Sequence, residues 1–484
     1  MPTRPKVLVI GGGPGGSTAA TLLAREGIAV TLAEREAFPR YHIGESLLPS
    51  TMHVLDVMGA REKVDRHGFQ RKEGAYISWG PEEWDFSFGE LSGNRGYSYQ
   101  VIRSEFDQLL LEHARSQGVE VLDRTDVTGL TFDGSRPCAA STTSLASSNG
   151  DPREHGFHML VDASGRASVM STRYLKNRRY HQAFQNVGIW GYWRGAERLP
   201  RGPFGAIAVC SVPSGWFWAI PLHDGTLSVG LVAGRERVRQ LRQEGVSLEE
   251  IYTDALAQCP TVQAMVAPAR RTSELKVEQD YSYSADQFAG PGFFLVGDAA
   301  CFLDPLLSTG VHLAMFSGLL AAACIASIAR GDIDEDEAIP FYEDVYRQAY
   351  LRLLVLVSTF YEHYQGKDGY FWEAQKLTRN DYSERKMNAA FIHIVSGIED
   401  LRDAGEHAGA LIHARVSEAH AEGTRLLQNK ALLGTLAPAD RARALEKAGL
   451  AGALLARFSL TPETAVRGLY VVTSPRLGVA RVGR

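Results

Sequence analysis

The amino-acid sequence predicts an α/β fold in which the pieces of a dinucleotide-binding unit are interleaved with a mostly antiparallel β-sheet, followed by a helical C-terminal region. Three observations predict it. An apolar run, Lys6 to Ile10, enters Gly11-Gly12-Gly13-Pro14-Gly15-Gly16 and then a helix-patterned stretch. From Gly74 to Tyr99 aromatics alternate with polar residues, as on strands with one buried face. Beyond about residue 375 the chain turns rich in Ala, Leu, Glu and Arg with helical periodicity.

Taken in order, Lys6–Ile10 reads as a strand and Ser17 to Glu26 as a helix packing through Ala19, Ala20, Leu22 and Leu23. Val30 to Ala33 is a second strand ending at Glu34, which completes a βαβ unit. Phe38 to Ser50 is loop-like and Thr51 to Val64 helical. Antiparallel strands follow to Tyr99, then a helix over Glu105 to Gln117 and a strand over Val119 to Leu122. Ser135 to His155 is crowded with Ser, Thr, Asn and Gly and reads as a surface loop. Phe157 to Ala163 returns to a strand. Residues 180–235 are β-rich with a turn at His223-Asp224-Gly225, and Phe293 to Val296 is one more buried strand. The expected organisation is a core over 1–375, with dinucleotide-binding pieces at about 1–65, 101–178 and 276–375. Sheet pieces lie at about 66–100 and 179–275, and a helical region spans 376–484.

Bulk composition narrows the function classes. At ~150 residues per domain, 484 residues allow about three units or one composite fold. Fifty-one basic against 56 acidic residues give a net charge of −5, which argues against nucleic-acid binding by counterion release. Cys138, Cys210, Cys259, Cys301 and Cys324 never lie closer than 23 positions, so there is no C-x-x-C pair and no disulfide framework. A reducing cytoplasm is the expected setting. The apolar start is too short for a signal core. The long apolar window Leu313 to Ala329 carries Ser317, Gly318 and Ser327 and reads as a buried helix, with no membrane partner expected.

Gly11, Gly13 and Gly16 form G-x-G-x-x-G, in which the first glycine permits a tight turn and the second lets a pyrophosphate approach the helix N-terminus. Glu34 follows Gly16 by 18 residues, where a carboxylate can meet a ribose diol. Val296-Gly297-Asp298-Ala299-Ala300, between a buried strand and a helix, resembles the G-D segment of the FAD-dependent aromatic hydroxylases and their relatives. Asp162-Ala163-Ser164-Gly165 resembles that family's D-x-x-G element. The resemblance implies a glutathione-reductase-type FAD domain in which Asp298 contacts the ribityl chain. No second G-x-G-x-x-G is present, so no nicotinamide domain is expected.

Within that superfamily, Phe38-Pro39-Arg40-Tyr41-His42-Ile43-Gly44-Glu45-Ser46 and Val101-Ile102-Arg103-Ser104-Glu105-Phe106-Asp107 resemble flavin-contact segments of the flavin-dependent halogenases. Arg40 and Arg103 are candidates for phosphate or isoalloxazine contacts, or equally for ion pairs. Gly215-Trp216-Phe217-Trp218-Ala219-Ile220-Pro221 is similar to the halogenase W-x-W-x-I-P signature, so Trp216, Trp218 and Pro221 are expected to wall a passage beside the flavin. Trp at i and i+2 share one face of a strand. Gly68 to Gly74 resembles the segment that carries the essential lysine, here Lys72, which guides hypohalous acid either as a hydrogen-bond donor or as a nucleophilic amine. Arg71 is adjacent, so only one of the two should point inward. Asp304 to Leu313 resembles the halide-proximal loop, with Thr309 and Gly310 as candidate chloride-binding N–H groups. Leu307 stands where the tryptophan halogenases carry a glutamate, a departure that favours a phenol or pyrrole over free tryptophan.

The resemblance covers nearly the whole chain and is strongest to phenol-type and carrier-protein-type halogenases, notably the tyrosyl halogenases of glycopeptide-antibiotic pathways. Tyr370-Phe371-Trp372 and Val472-Thr473-Ser474-Pro475 share in it. It implies FAD reduced by a separate reductase, chloride as co-substrate, and an aromatic substrate that is free or tethered to an acyl or peptidyl carrier protein. Two alternatives stay open: an aromatic hydroxylase on the same fold, and a flavin-binding protein without turnover. The 14 histidines show no metal-ligand spacing, and no metal is expected. From Arg467 to Arg484 four arginines and no acids either steer an acidic partner or form a disordered end.

Overall fold

The structure, a computed structural model, describes residues 5–80, 82–88, 96–146, 152–364, 462 and 465–483. The βαβ unit forms as the pattern predicts, from strand Lys6–Ile10, helix Pro14–Arg25 and strand Ala29–Ala33. Its sheet is six-stranded, in the order Ala289–Gly290, Phe293–Leu295, Met159–Asp162, Lys6–Ile10, Ala29–Ala33, Glu120–Leu122. All pairs are parallel except the edge pair Ala289–Gly290 with Phe293–Leu295. The strands come from widely separated stretches of chain, which is the interleaving the sequence implied. Val7 to Ile10 are all buried, as expected for a parallel strand covered on both faces.

The second sheet runs Cys301–Phe302, Lys276–Ala285, Arg178–Arg194, Thr226–Gly234, Gly215–Pro221, Ile207–Val212, Gly74–Trp79, Glu82–Ser87. Alternation along Gly215–Pro221 decides what each face meets. Trp216, Trp218 and Ile220 join the core shared with the six-stranded sheet. Phe217 and Ala219 join a second core with Tyr252 and Val262, beneath helices Leu248–Leu256 and Pro260–Val266.

Helix Gly310–Arg330 is apolar enough to cross a membrane, yet 89% of its most apolar window is buried. Phe316, Leu319, Leu320 and Ile325 are almost fully enclosed, each worth about 1.5–3 kcal/mol of burial. This fixes the helix start against the six-stranded sheet, where the candidate site lies.

Three expectations are corrected. The stretch Ser135 to His155 is not a loop. Arg136–Ser144 and Arg153–Gly156 are strands of a three-stranded sheet with Thr125–Asp133. Its Ser and Thr residues pair across antiparallel strands, for example Thr142 with Arg153, and Ala139 and Ala140 pack inward. The Thr51 to Val64 helix is two helices, Pro49–Met58 and Arg61–His67, broken at Gly59, which has a φ of +72°. The C-terminus is not helical throughout: Leu469–Val472 and Gly478–Arg481 form a β-hairpin on helix Gly310–Arg330.

The arginines of that end are bound within the chain. Arg467 pairs with Asp344 at 2.6 Å and Arg476 with Glu26 at 3.5 Å, and Arg481 pairs with Glu337. These three arginines are thus engaged within the fold, and Arg484 lies outside the described residues. The expected helices after residue 375, and Tyr370-Phe371-Trp372, lie outside the described residues.

Candidate active site

A cavity of about 420 Å³ opens between the two sheets. Gly11, Gly13, Gly15, Glu34 and Arg40 line it together with Arg103, Ala163 to Ala167, Gly297, Asp298, Thr309 and Gly310. Gly11 has a φ of +100°, and a Cβ there would stand 2.3 Å from the Ala163 carbonyl oxygen, so only glycine makes this turn. No side chain caps the Pro14–Arg25 helix, which leaves its first N–H groups for a ligand. Gly16, the last glycine of the motif, is buried in the first turn of that helix. The Glu34 carboxylate accepts hydrogen bonds from Gly12 N at 2.6 Å and Glu36 N at 2.7 Å, and so steadies the glycine turn it faces.

Arg40 lies beside Gly13 and pairs with Asp107 at 3.2 Å. Arg103 donates to both Asp107 carboxylate oxygens at 2.8 and 2.9 Å and to the Ile43 carbonyl at 2.7 Å. Burial alone would push the Asp107 carboxyl up, but Arg103 and then Arg40 hold it below its usual range. Both arginines thus border the cavity and form ion pairs at once, and the Arg103 pair is buried. Asp298 also borders the cavity, where burial pushes its carboxyl up against the pull of Arg166, Arg103 and Arg178. Asp162 is spent on its own loop, accepting from Ser164 N at 3.1 Å and from Met170 N at 2.7 Å. Residues Ala163 to Ala167 face the cavity in its place. An uncapped helix N-terminus, a glycine turn, two arginines and a facing carboxylate suit a dinucleotide such as FAD.

Trp216 and Trp218 form one wall. Trp218 is cross-strand partner to Gly230, and a Cβ at Gly230 would stand 2.1 Å from the indole. Pro221 does not join this wall. With a side-chain period of two, Trp216, Trp218 and Ile220 share a face and Pro221 belongs to the other, so Ile220 takes its place. Opposite, Ser308 adopts φ +58° and turns the chain so that Thr309 and Gly310 border the cavity at the start of helix Gly310–Arg330. Thr309 Oγ1 is buried with no hydrogen-bond partner. Asp304 braces this loop by accepting from Leu306 N at 3.0 Å and Asn186 Nδ2 at 2.9 Å. Leu307 is buried in the core and does not line the cavity.

Lys72 ends strand Gln70–Lys72 and is 2% exposed, while Arg71 is exposed beside Tyr97 and Glu73. Its Nζ donates to Ser46 Oγ at 2.8 Å and the Leu47 carbonyl at 3.0 Å, and lies 5.4 Å from the centre of the Phe88 ring. Among the described residues no carboxylate pairs with it, and burial pushes the amine down to about 7. Lys72 does not line the large cavity. It touches Ser46, which does. The segment Gly44–Leu47 therefore stands between the cavity and the lysine.

Two groupings escaped the reading of the sequence. Glu45 lines the cavity at 3% exposure, and its carboxyl is pushed up to about 7 by burial, with Ser228 and Tyr192 opposing. Glu45 sits inside the quoted flavin-loop motif, but its partners Tyr192 and Ser228 are remote in sequence and nothing beside it marks it out. His67 Nε2 and His223 Nε2 meet Glu105 Oε2 at 2.7 and 3.1 Å, with metal-ligating atoms within 4.8 Å of one another. That cluster lies outside the cavity lining, and residues 38 and 118 apart in sequence carry no spacing signal.

Comparison with known proteins agrees with this geometry. The sequence model described as tryptophan halogenase matches residues 6–96 and 91–392. A tryptophan 2-halogenase of Chondromyces crocatus is 45% identical over 99% of this chain and 95% of its own length. The sulochrin halogenase of Aspergillus terreus is 37% identical over 84% of this chain and 77% of its own. The solved structure of the myxobacterial chondrochloren halogenase, described as a variant of FAD-dependent halogenases, superposes with a TM-score of 0.70 at 37% identity. It covers 83% of this chain and 91% of its own.

Proposed function

The chain belongs to the tryptophan halogenase family and is a flavin-dependent halogenase that uses FAD, with chloride the usual halide; on that premise we propose that it chlorinates an electron-rich phenolic ring through Lys72. The observation that carries this reading is a lysine 2% exposed, without a carboxylate partner among the described residues, held against a segment that lines the cavity.

FAD, reduced by a separate reductase, supplies with O2 the oxidation of chloride to hypochlorous acid. The chain supplies binding, separation and a receiving group. Gly11, Gly13, Gly16 and Glu34 suit the adenosine and pyrophosphate end, with Arg40 beside them. Arg103, which holds the Ile43 and Gly44 carbonyls, would steady the loop facing the isoalloxazine, and Asp298 would serve the ribityl chain. Thr309 and Gly310 offer N–H groups at a helix start for chloride. Trp216 and Trp218 keep the ring of the substrate from the oxidant.

A neutral Lys72 amine has two N–H groups and one lone pair. Ser46 Oγ and the Leu47 carbonyl take both N–H groups, so the lone pair is left for electrophilic chlorine. In the first step nitrogen bonds chlorine, the O–Cl bond breaks, and hydroxide leaves as water with an amine proton. In the second the ring carbon takes the chlorine and its proton returns to nitrogen. Water and the chloroarene are the products, and the amine is regenerated.

Support for a phenol is Leu307, since no acid stands where family members acting on tryptophan carry one, and a phenol is activated by its own oxygen. The relative named tryptophan 2-halogenase favours a second reading, an indole substrate. One assay separates them. Reduced FAD, O2 and chloride are supplied with free phenolic acids, the same acids on a carrier protein, and tryptophan, and products are read by mass spectrometry. The phenolic acids gain chlorine, fastest on the carrier; chlorine on tryptophan alone would replace this reading by the second. Five free thiols support a reducing, cytoplasmic setting.

A further inference from the structure

Glu45 has no task in the chemistry above, yet it is a buried acid on the cavity wall. Its Oε1 accepts a hydrogen bond from Tyr192 OH at 2.8 Å, and Tyr192 OH lies 2.9 Å from Tyr41 OH. Trp190 Nε1 donates to Tyr41 OH at 2.8 Å, and Tyr41 is 48% exposed. The directions follow from counting hydrogens. Tyr192 spends its only hydroxyl hydrogen on Glu45, so the contact between the two tyrosines must be Tyr41 donating to Tyr192. The chain is therefore already polarised inward, from the hydroxyl of a half-exposed tyrosine to a buried carboxylate whose second oxygen, Oε2, is buried with no partner among the described residues.

Halide oxidation needs such a path. Written with its atoms balanced, FADH2 + O2 + Cl⁻ + H⁺ gives FAD + HOCl + H2O. The O–O bond breaks and a Cl–O bond forms; flavin and chloride each give two electrons to O2. Of the three hydrogens in the products, the flavin brings two and the solvent must bring one into a cavity walled by Trp216, Trp218 and Ile220.

We propose that Glu45 is the residue that delivers this proton, recharged through Tyr192 and Tyr41 from solvent. The inference rests on the halogenase reading but not on the substrate or on Lys72, which lies behind Ser46. Other groups facing Glu45 set its midpoint. Tyr192 and Ser228 lower it, as does Arg103, while Asp224 raises it and burial outweighs them all. Lys276 lies over the Tyr41 ring at 4.1 Å, and Glu278 acts on Tyr41 from the same strand. Tyr41 itself is pushed up to about 12, so it passes protons as a neutral hydroxyl.

The test reads hypochlorous acid release by the otherwise unaltered enzyme with a soluble diketone trap and no aromatic substrate, so that transfer to substrate does not enter. Glu45→Gln lowers release about 10²-fold or more, the span of a lost general acid, and removes its acidic limb from the pH profile. Tyr192→Phe lowers it less and raises the solvent isotope effect, and Glu45→Asp restores part of it. An infrared titration of the flavin-free protein gives a second readout. A carboxyl band titrating near 7 is absent in Glu45→Gln and shifted in Tyr192→Phe. Wild-type release and pH profile in Glu45→Gln, or persistence of that band, overturns the relay and leaves the substrate reading standing.

Discussion

Arg103 and Lys72 are both buried cations, and the chain treats them in opposite ways. Arg103 meets a complete set of acceptors, with Asp107 on two nitrogens and the Ile43 carbonyl on a third. Lys72 meets a hydroxyl and a carbonyl, and among the described residues no anion. The two bind residues 43–47 at opposite ends, Arg103 at Ile43 and Lys72 at Ser46 and Leu47. A buried ion pair keeps its charge and fixes geometry; a buried amine without a counter-ion gives up its proton and becomes reactive. On the function proposed above, one loop thus holds a scaffold cation at one end and a chemical one at the other.

Changing either member tests the contrast. Lys72→Ala is expected to cut ring chlorination by roughly 10³ or more, the upper span for a single proton-transfer or nucleophilic group, while FAD binding and hypochlorous acid release persist. Product mass spectrometry beside flavin fluorescence checks this, and retained chlorination would end the lysine assignment. Arg103→Met strands Asp107 with Arg40 alone and should cost about 3–5 kcal/mol of stability in urea unfolding. A loss below about 1 kcal/mol would mean the pair is no scaffold. Gly230→Ala drives a methyl group into the Trp218 ring and should cost about 1–3 kcal/mol, with Trp fluorescence shifted.

The smallest effect sharpens the comparison by its sign. Lys72 binds its proton less well folded than unfolded, so stability rises with pH from about 7 to the ordinary lysine value of 10.5. Lys72→Met should therefore raise Tm by about 2–4 °C at pH 6, the equivalent of 1 kcal/mol, and by less at pH 9. An equal gain at both pH values would show that the amine is not shifted.

Much of this could be read from the residues. The glycine turn, the Trp216 and Trp218 face and the inward Lys72 follow from motif and period, because local backbone geometry dictates them. Pro221 was misassigned because the signature was carried over whole, although a period of two excludes it. The loop expected over Ser135 to His155 failed because composition alone cannot tell a polar two-sided hairpin from a coil. The D-x-x-G element at Asp162 was legible as a motif, but that Asp162 accepts from Ser164 and Met170 and so braces its own loop only the folded contacts reveal. Tyr192 meets Glu45 and Tyr41 across 147 and 151 positions of chain, and no pattern along the sequence encodes that meeting.

Burial, with no counter-ion among the described residues, brings the Lys72 amine down to about 7, so that a large share of it is neutral near that pH. Titration of that single amine by amine-selective labelling of the flavin-free protein, followed by peptide mass spectrometry, tests it most directly. A midpoint near 7 is the predicted result, and a midpoint near the ordinary 10.5 would contradict it.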